Sequence, residues 1–95
     1  MSDEKNFKDL PAGKSISYQH LLFYLEQGRE IEFVYKEKEY FISHSLEGRT
    51  VWNGQKRISE HFRDNDVSLL ESTKIEGRTL ADLLKQNEIK ITAIF

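Results

Sequence analysis

Gly13-Lys14-Ser15 has the ending of a phosphate-binding loop, in which a lysine and successive backbone amides surround phosphate oxygens. That loop needs a glycine five residues before Gly13, but the position is Lys8 and no strand precedes it. The phosphate reading fails there. His20, His44 and His61 could ligate a metal or move a proton, yet they stand far apart and in no H-E-x-x-H or C-x-x-C frame. Serines and carboxylates are plentiful. A nucleophile or an acid/base pair, however, needs partners held in hydrogen-bond reach, usually in a pocket that a small two-layer domain rarely encloses. The expectation is a protein that is not an enzyme and uses no metal or cofactor.

The segment with the clearest chemistry runs from residue 48 to residue 63. It carries Arg49, Lys56, Arg57 and Arg63 against the single acid Glu60, with Trp52 among them and Asn53-Gly54 as a turn. Cations contact phosphates and an aromatic face stacks on a base, so this set on an open sheet suits a nucleic-acid strand. Trp and Arg also dominate protein interfaces, because both combine large contact area with directional polar groups. On either reading the candidate partner-binding residues are Arg49, Trp52, Asn53, Lys56, Arg57 and Arg63. Against both stands a third reading, in which Trp52 fills the core and the cations are solvated.

Those residues need elements to hold them. Ser17 is a good N-cap, Ile16 and Leu21 can form a hydrophobic staple, and Tyr18, Leu21, Leu22 and Leu25 share one face. Gly28 suits a left-handed stop, so a helix is predicted over 18–27. The period then changes to two. Ile31, Phe33 and Tyr35 alternate with Glu32, Val34 and Lys36, and a turn at Lys36-Glu37-Lys38 leads into a second strand from Tyr40 to Ser43. Glu47-Gly48-Arg49 makes another turn, Thr50-Val51-Trp52 a third strand, and Asn53-Gly54 a two-residue hairpin before a possible fourth strand over 55–59. Asp64 or Asn65 caps a short helix with Val67, Leu69 and Leu70 as its apolar positions. Thr79 and Asp82 resemble a capping box for another, with Leu80, Leu83 and Leu84 inward. Ile89, Ile91 and Ala93 alternate along a final strand. The order α-β-β-β-(β)-α-α-β specifies an α+β domain, an antiparallel sheet packed against helices. Its expected core joins Leu21, Leu22, Leu25, Phe33, Leu70, Leu83 and Ile91. Residues 1–14, with the only Pro and no periodicity, read as a flexible arm, leaving 15–95 as the domain.

Composition limits the partner. With 14 Lys plus Arg against 16 Asp plus Glu the net charge is -2, unlike the strongly basic balance of a wholesale nucleic-acid binder. Residues 64–95 hold six acids and four bases, so the basic middle segment faces an acidic end. The acids Glu30, Glu32, Glu37 and Glu39 alternate with Arg29, Lys36 and Lys38, which cross-strand pairing explains. There is no cysteine, no signal-like start and no apolar run of membrane-spanning length. A soluble cytoplasmic protein, without a membrane partner, is expected.

Gly28-Arg29-Glu30-Ile31-Glu32-Phe33-Val34-Tyr35, the tyrosine-led strand at Tyr40, Leu69-Leu70-Glu71 and Ile75-Glu76-Gly77-Arg78-Thr79-Leu80 together resemble small uncharacterised proteins of Gram-positive bacteria and their phages. The likeness covers roughly residues 18–91. It implies a mobile-element accessory protein, a setting that includes inhibitors of host defence such as anti-CRISPR proteins, and it brings no catalytic residue. By elimination the chain reads as a protein-binding module that inhibits or modulates a host protein. The alternatives are a nucleic-acid-binding accessory protein using 49–63, and a homodimer paired through the edge of its C-terminal strand, 89–95.

Overall fold

The computed structural model describes residues 9–95. The chain forms α1 (Tyr18–Glu26), β1 (Ile31–Tyr35), β2 (Lys38–Ser45), β3 (Gly48–Asn53), β4 (Lys56–Arg57), α2 (Asp66–Ser72), β5 (Lys74–Ile75), β6 (Arg78–Thr79), α3 (Leu80–Lys85) and β7 (Lys90–Ile94). Five strands make an antiparallel sheet in the order β4-β3-β2-β1-β7, and β5 and β6 form a separate hairpin. This is the α+β architecture expected, with the fourth strand present and one small hairpin added. Two residues per strand are too few for an alternation to show, which is why β5 and β6 escape a periodicity reading.

Local chemistry sets the boundaries. The Ser17 hydroxyl accepts the His20 amide at α1, Asn65 accepts the Ser68 amide at α2, and Thr79 accepts the Asp82 amide at α3. Gly28 ends α1 at φ 80. Lys36 and Glu37 turn between β1 and β2 with both φ values positive, 51 and 66, so a hairpin without the usual glycine still takes the primed geometry. At the β3–β4 hairpin the loop is shifted by one residue from Asn53-Gly54. Asn53 pairs with Lys56, leaving Gly54 and Gln55 as the loop, and Gly54 (φ 63) supplies the positive first position that a II′ turn needs.

All three helices lie on one side of the sheet. Ile31, Phe33, Tyr35, Tyr40, Ile42, Val51 and Ile91 point toward them and join Leu21, Tyr24, Leu25, Leu69, Leu70, Leu80, Leu83 and Leu84 in a single buried cluster. Of the expected core, Leu21, Leu25, Phe33, Leu70, Leu83 and Ile91 are buried, and Leu22 is only partly buried against them. Val67, expected inward, is 46% exposed, because on the two-turn α2 only Leu69 and Leu70 reach the sheet side.

The arm expected over 1–14 lies outside the described residues as far as Lys8. From Asp9 the chain is attached: Asp9 grips the Arg29 guanidinium with both carboxylate oxygens at 2.7 and 2.9 Å, and the Leu10 amide donates to the Tyr24 hydroxyl. The Gly13 amide donates to the Ile91 carbonyl, the Ile91 amide to Lys14 and the Ile16 amide to Ile89. So β7, the final strand that the alternation suggested, ends the five-stranded order, but residues 13–16 occupy its outer edge from Ile89 to Ile91. A second copy cannot pair with that stretch unless they leave.

Candidate functional site

Opposite the helices, one face of the sheet is left open by the described residues. The strand registers place Ala93, Glu32, Phe41, Trp52 and Arg57 in one row across β7, β1, β2, β3 and β4. Phe41 and Trp52 are half-buried neighbours at its centre, and Glu32 and Arg57 are exposed on either side. Phe95 follows β7 and, 61% exposed, meets Phe41 edge-on with ring centroids 6.2 Å apart. The indole Nε1 of Trp52 donates to Ser43 Oγ at 3.1 Å, so the ring's polar tip is satisfied within the face and its carbon surface is presented outward.

The row beyond the Trp52 pair is stiffened by a polar chain. Thr50, 2% exposed, bonds His61 Nδ1 through Oγ1 at 2.9 Å, and His61 Nε2 lies 2.7 Å from Arg57 Nη1. A guanidinium only donates, so Nε2 accepts, and Nδ1 carries the proton toward Thr50. The Glu47 carboxylate is 3.8 Å from the same Nε2. Thr50, His61 and Arg57 thereby tie the irregular segment 59–61 to β3 and hold Arg57 beside Trp52.

Of the six residues singled out by the sequence, this face brings together Trp52 and Arg57, which are paired across β3 and β4. Trp52 is therefore neither a core residue nor a turn tip. Asn53 and Lys56 belong to the same strands but, one residue out of phase, project to the opposite side. Arg63 is exposed beyond the far end of β3 and donates to the Leu46 carbonyl. Arg49 is no rim charge. At 3% exposure it shares the inward phase of Val51, donates from Nη2 to the Leu25 carbonyl at 2.8 Å, and pairs through Nε with Asp66 at 3.2 Å. It joins the carbonyl end of α1 to the first turn of α2, where cation and carboxylate each suit the local helix dipole. Burial holds its pKa below the ordinary arginine value, opposed by the charges of Asp66 and Glu30.

Comparison with family models, curated proteins and solved structures finds no match. No three His, Cys, Asp or Glu side chains gather as a metal ligand set among the described residues, and no described helix is long and apolar enough to cross a membrane. The Gly13 amide is already bonded to Ile91, so it is not directed at a phosphate. His44 Nδ1 lies 3.1 Å from the Gly28 carbonyl, closing the end of α1 onto β2.

The sequence reading missed Glu32, Phe41, Phe95 and His61. A signal was available for Phe41: Tyr40 and Ile42 take the inward phase of β2, so the phenylalanine between them must point out. Phe95 and His61 had none, since their places depend on a strand end and an irregular loop.

Proposed function

We propose that this chain is a non-enzymatic protein-binding module that engages a larger host protein through the open sheet face and inhibits or modulates it. The observation that carries the reading is the contiguous aromatic surface of Phe41, Trp52 and Phe95 on the helix-free side, flanked by Glu32 and Arg57. Aromatic centres with charged rims are what protein interfaces enrich, and the charges steer encounter while the rings supply contact area. The resemblance to small phage and mobile-element proteins supplies a cytoplasmic host setting.

A photo-crosslinking amino acid at position 41 tests it in the native host. A protein partner should be captured from this face, and not from the same reagent at Lys74. Trp52→Ser should abolish capture while leaving the far-ultraviolet spectrum unchanged. Capture that is indifferent to Trp52→Ser removes the reading.

A second reading has one observation in its favour: Arg57 is the cross-strand partner of Trp52, which sets a cation and an aromatic ring on adjacent strands, as phosphate contact and stacking platform would require. Glu32 and Glu39 on the same face repel phosphates. If a single strand nevertheless binds, Arg57→Gln should reduce the salt slope of oligonucleotide affinity by about 1. Absence of binding at low salt eliminates it.

A further inference from the structure

The row across the open face is complementary to itself. It reads Glu32, Phe41, Trp52, Arg57 on four adjacent strands, with its midpoint between the two aromatic residues. Consider a second copy laid face to face and related by a two-fold axis that runs between the sheets, parallel to the strands, through that midpoint. The axis reverses the order of strands without changing their direction. Glu32 of each copy then lies opposite Arg57 of the other, and Phe41 opposite Trp52. Turned instead about an axis across the strands, the same faces would set Glu32 on Glu32 and Arg57 on Arg57. Charge thus selects one two-fold arrangement, and it is the aligned packing, with sheets about 10 Å apart, that sandwiches commonly adopt.

We infer that the open face binds a second copy of this chain, forming a two-fold sandwich held by two Glu32–Arg57 pairs around a Phe41 and Trp52 centre. This rests on the reading of the face as a protein-binding surface and names an occupant for it. Host binding and self-association then use the same residues and exclude one another.

The size of the face sets the strength. The axis superposes four strands of each copy, which at about 4.8 Å apart span about 19 Å, and five residues along a strand span about 17 Å. The plan area is about 320 Å² per copy, or about 650 Å² in all, below the ~1,000 Å² of a stable interface. The dimer is weak, exchanging and concentration-dependent. Edge pairing through β7 is a different arrangement, hindered by residues 13–16.

Sedimentation equilibrium of the full chain from about 10 μM to 1 mM tests this, the range a weak dimer spans. The parent should move from monomer to dimer, and the emission of Trp52, the single tryptophan, should shift to the blue with it. Glu32→Arg and Arg57→Glu set like charges opposite each other twice and should each weaken the dimer at least about tenfold. Mixing the two variants restores both pairs in a heterodimer, and the double variant restores them in a homodimer; each should return to near-parental association. Both side chains are exposed, and circular dichroism verifies the fold of every variant. A chain that stays monomeric at 1 mM overturns the inference, as does a dimer indifferent to the single variants or not recovered on mixing. A monomer that still crosslinks a Trp52-dependent host protein from position 41 sinks the dimer alone; a monomer that crosslinks nothing there sinks both readings.

Discussion

Two positions show how a single residue's geometry sets its cost. Gly48 opens β3 at φ 115, and a methyl group there would come within 2.7 Å of the Phe62 carbonyl oxygen. That carbonyl cannot retreat easily, because it accepts the Arg49 amide at 2.8 Å. Gly48→Ala should therefore lose more than about 1 kcal/mol in chemical denaturation. Gly54→Ala, with nothing within 4 Å of the added carbon, should suffer backbone strain alone and lose less. Arg49 carries the larger penalty. Arg49→Ala leaves Asp66 without its cation and the Leu25 carbonyl with the Gly28 amide alone, an expected loss of about 3 kcal/mol read from the unfolding midpoint. Its loss should act on stability and leave the chemistry of the open face intact. The sequence presents Arg49 as one more cation in a basic segment; only its inward phase, shared with Val51, separates it from Arg57.

At the scale of elements, two short hairpins are pinned by one carboxylate. Glu76, at the β5–β6 turn, reaches Lys36 at 3.6 Å and Lys38 at 3.3 Å in the β1–β2 turn. The hydrogen bond from Lys38 is the main cause that holds the Glu76 pKa below its ordinary 4.5, with partial desolvation opposing. A depressed folded pKa means that the contact stabilises fully above the unfolded value and is lost as pH falls through the folded one. Stability measured from about pH 5 to pH 3 should accordingly fall less steeply in Glu76→Gln than in the parent, since glutamine does not titrate. An unchanged acid limb would show that the two turns are not coupled. The edge of β7 allows another check. A chain beginning at Ser15 loses the Gly13, Lys14 and Leu10 hydrogen bonds, and should unfold cooperatively with stability lower by about 1–3 kcal/mol. Loss of cooperativity would make the segment part of the folding unit.

For the whole molecule, one cluster unites the helices and the inner face of the sheet, so a cavity anywhere in it is felt globally. Leu25 is 2% exposed within it, and Leu25→Ala should cost about 2–5 kcal/mol, visible as a lower denaturant midpoint. A midpoint equal to the parent's would place Leu25 outside the core. Because the three helices cover only one side, the other side of the sheet has no layer packed on it among the described residues. Leu25 and its neighbours hold the fold, while Phe41, Trp52 and Phe95 lie outside that core.

The amino-acid sequence by itself determined the elements whose signals are local: the caps at Ser17 and Thr79, the stop at Gly28, the alternation of β1 and the stripe of α3. Each depends on a few neighbouring residues, so each could be read without knowing what packs on it. The sequence also singled out Trp52 and Arg57, which the fold pairs across β3 and β4. Tertiary structure alone decided the rest. Whether an alternating strand turns its tryptophan or its valine toward the helices is settled by which face the helices cover, and that choice sent Arg49 inward and Trp52 out. The row from Glu32 to Arg57 joins residues 25 positions apart through three strand registers. Register is a property of paired strands, and no single stretch of chain contains it.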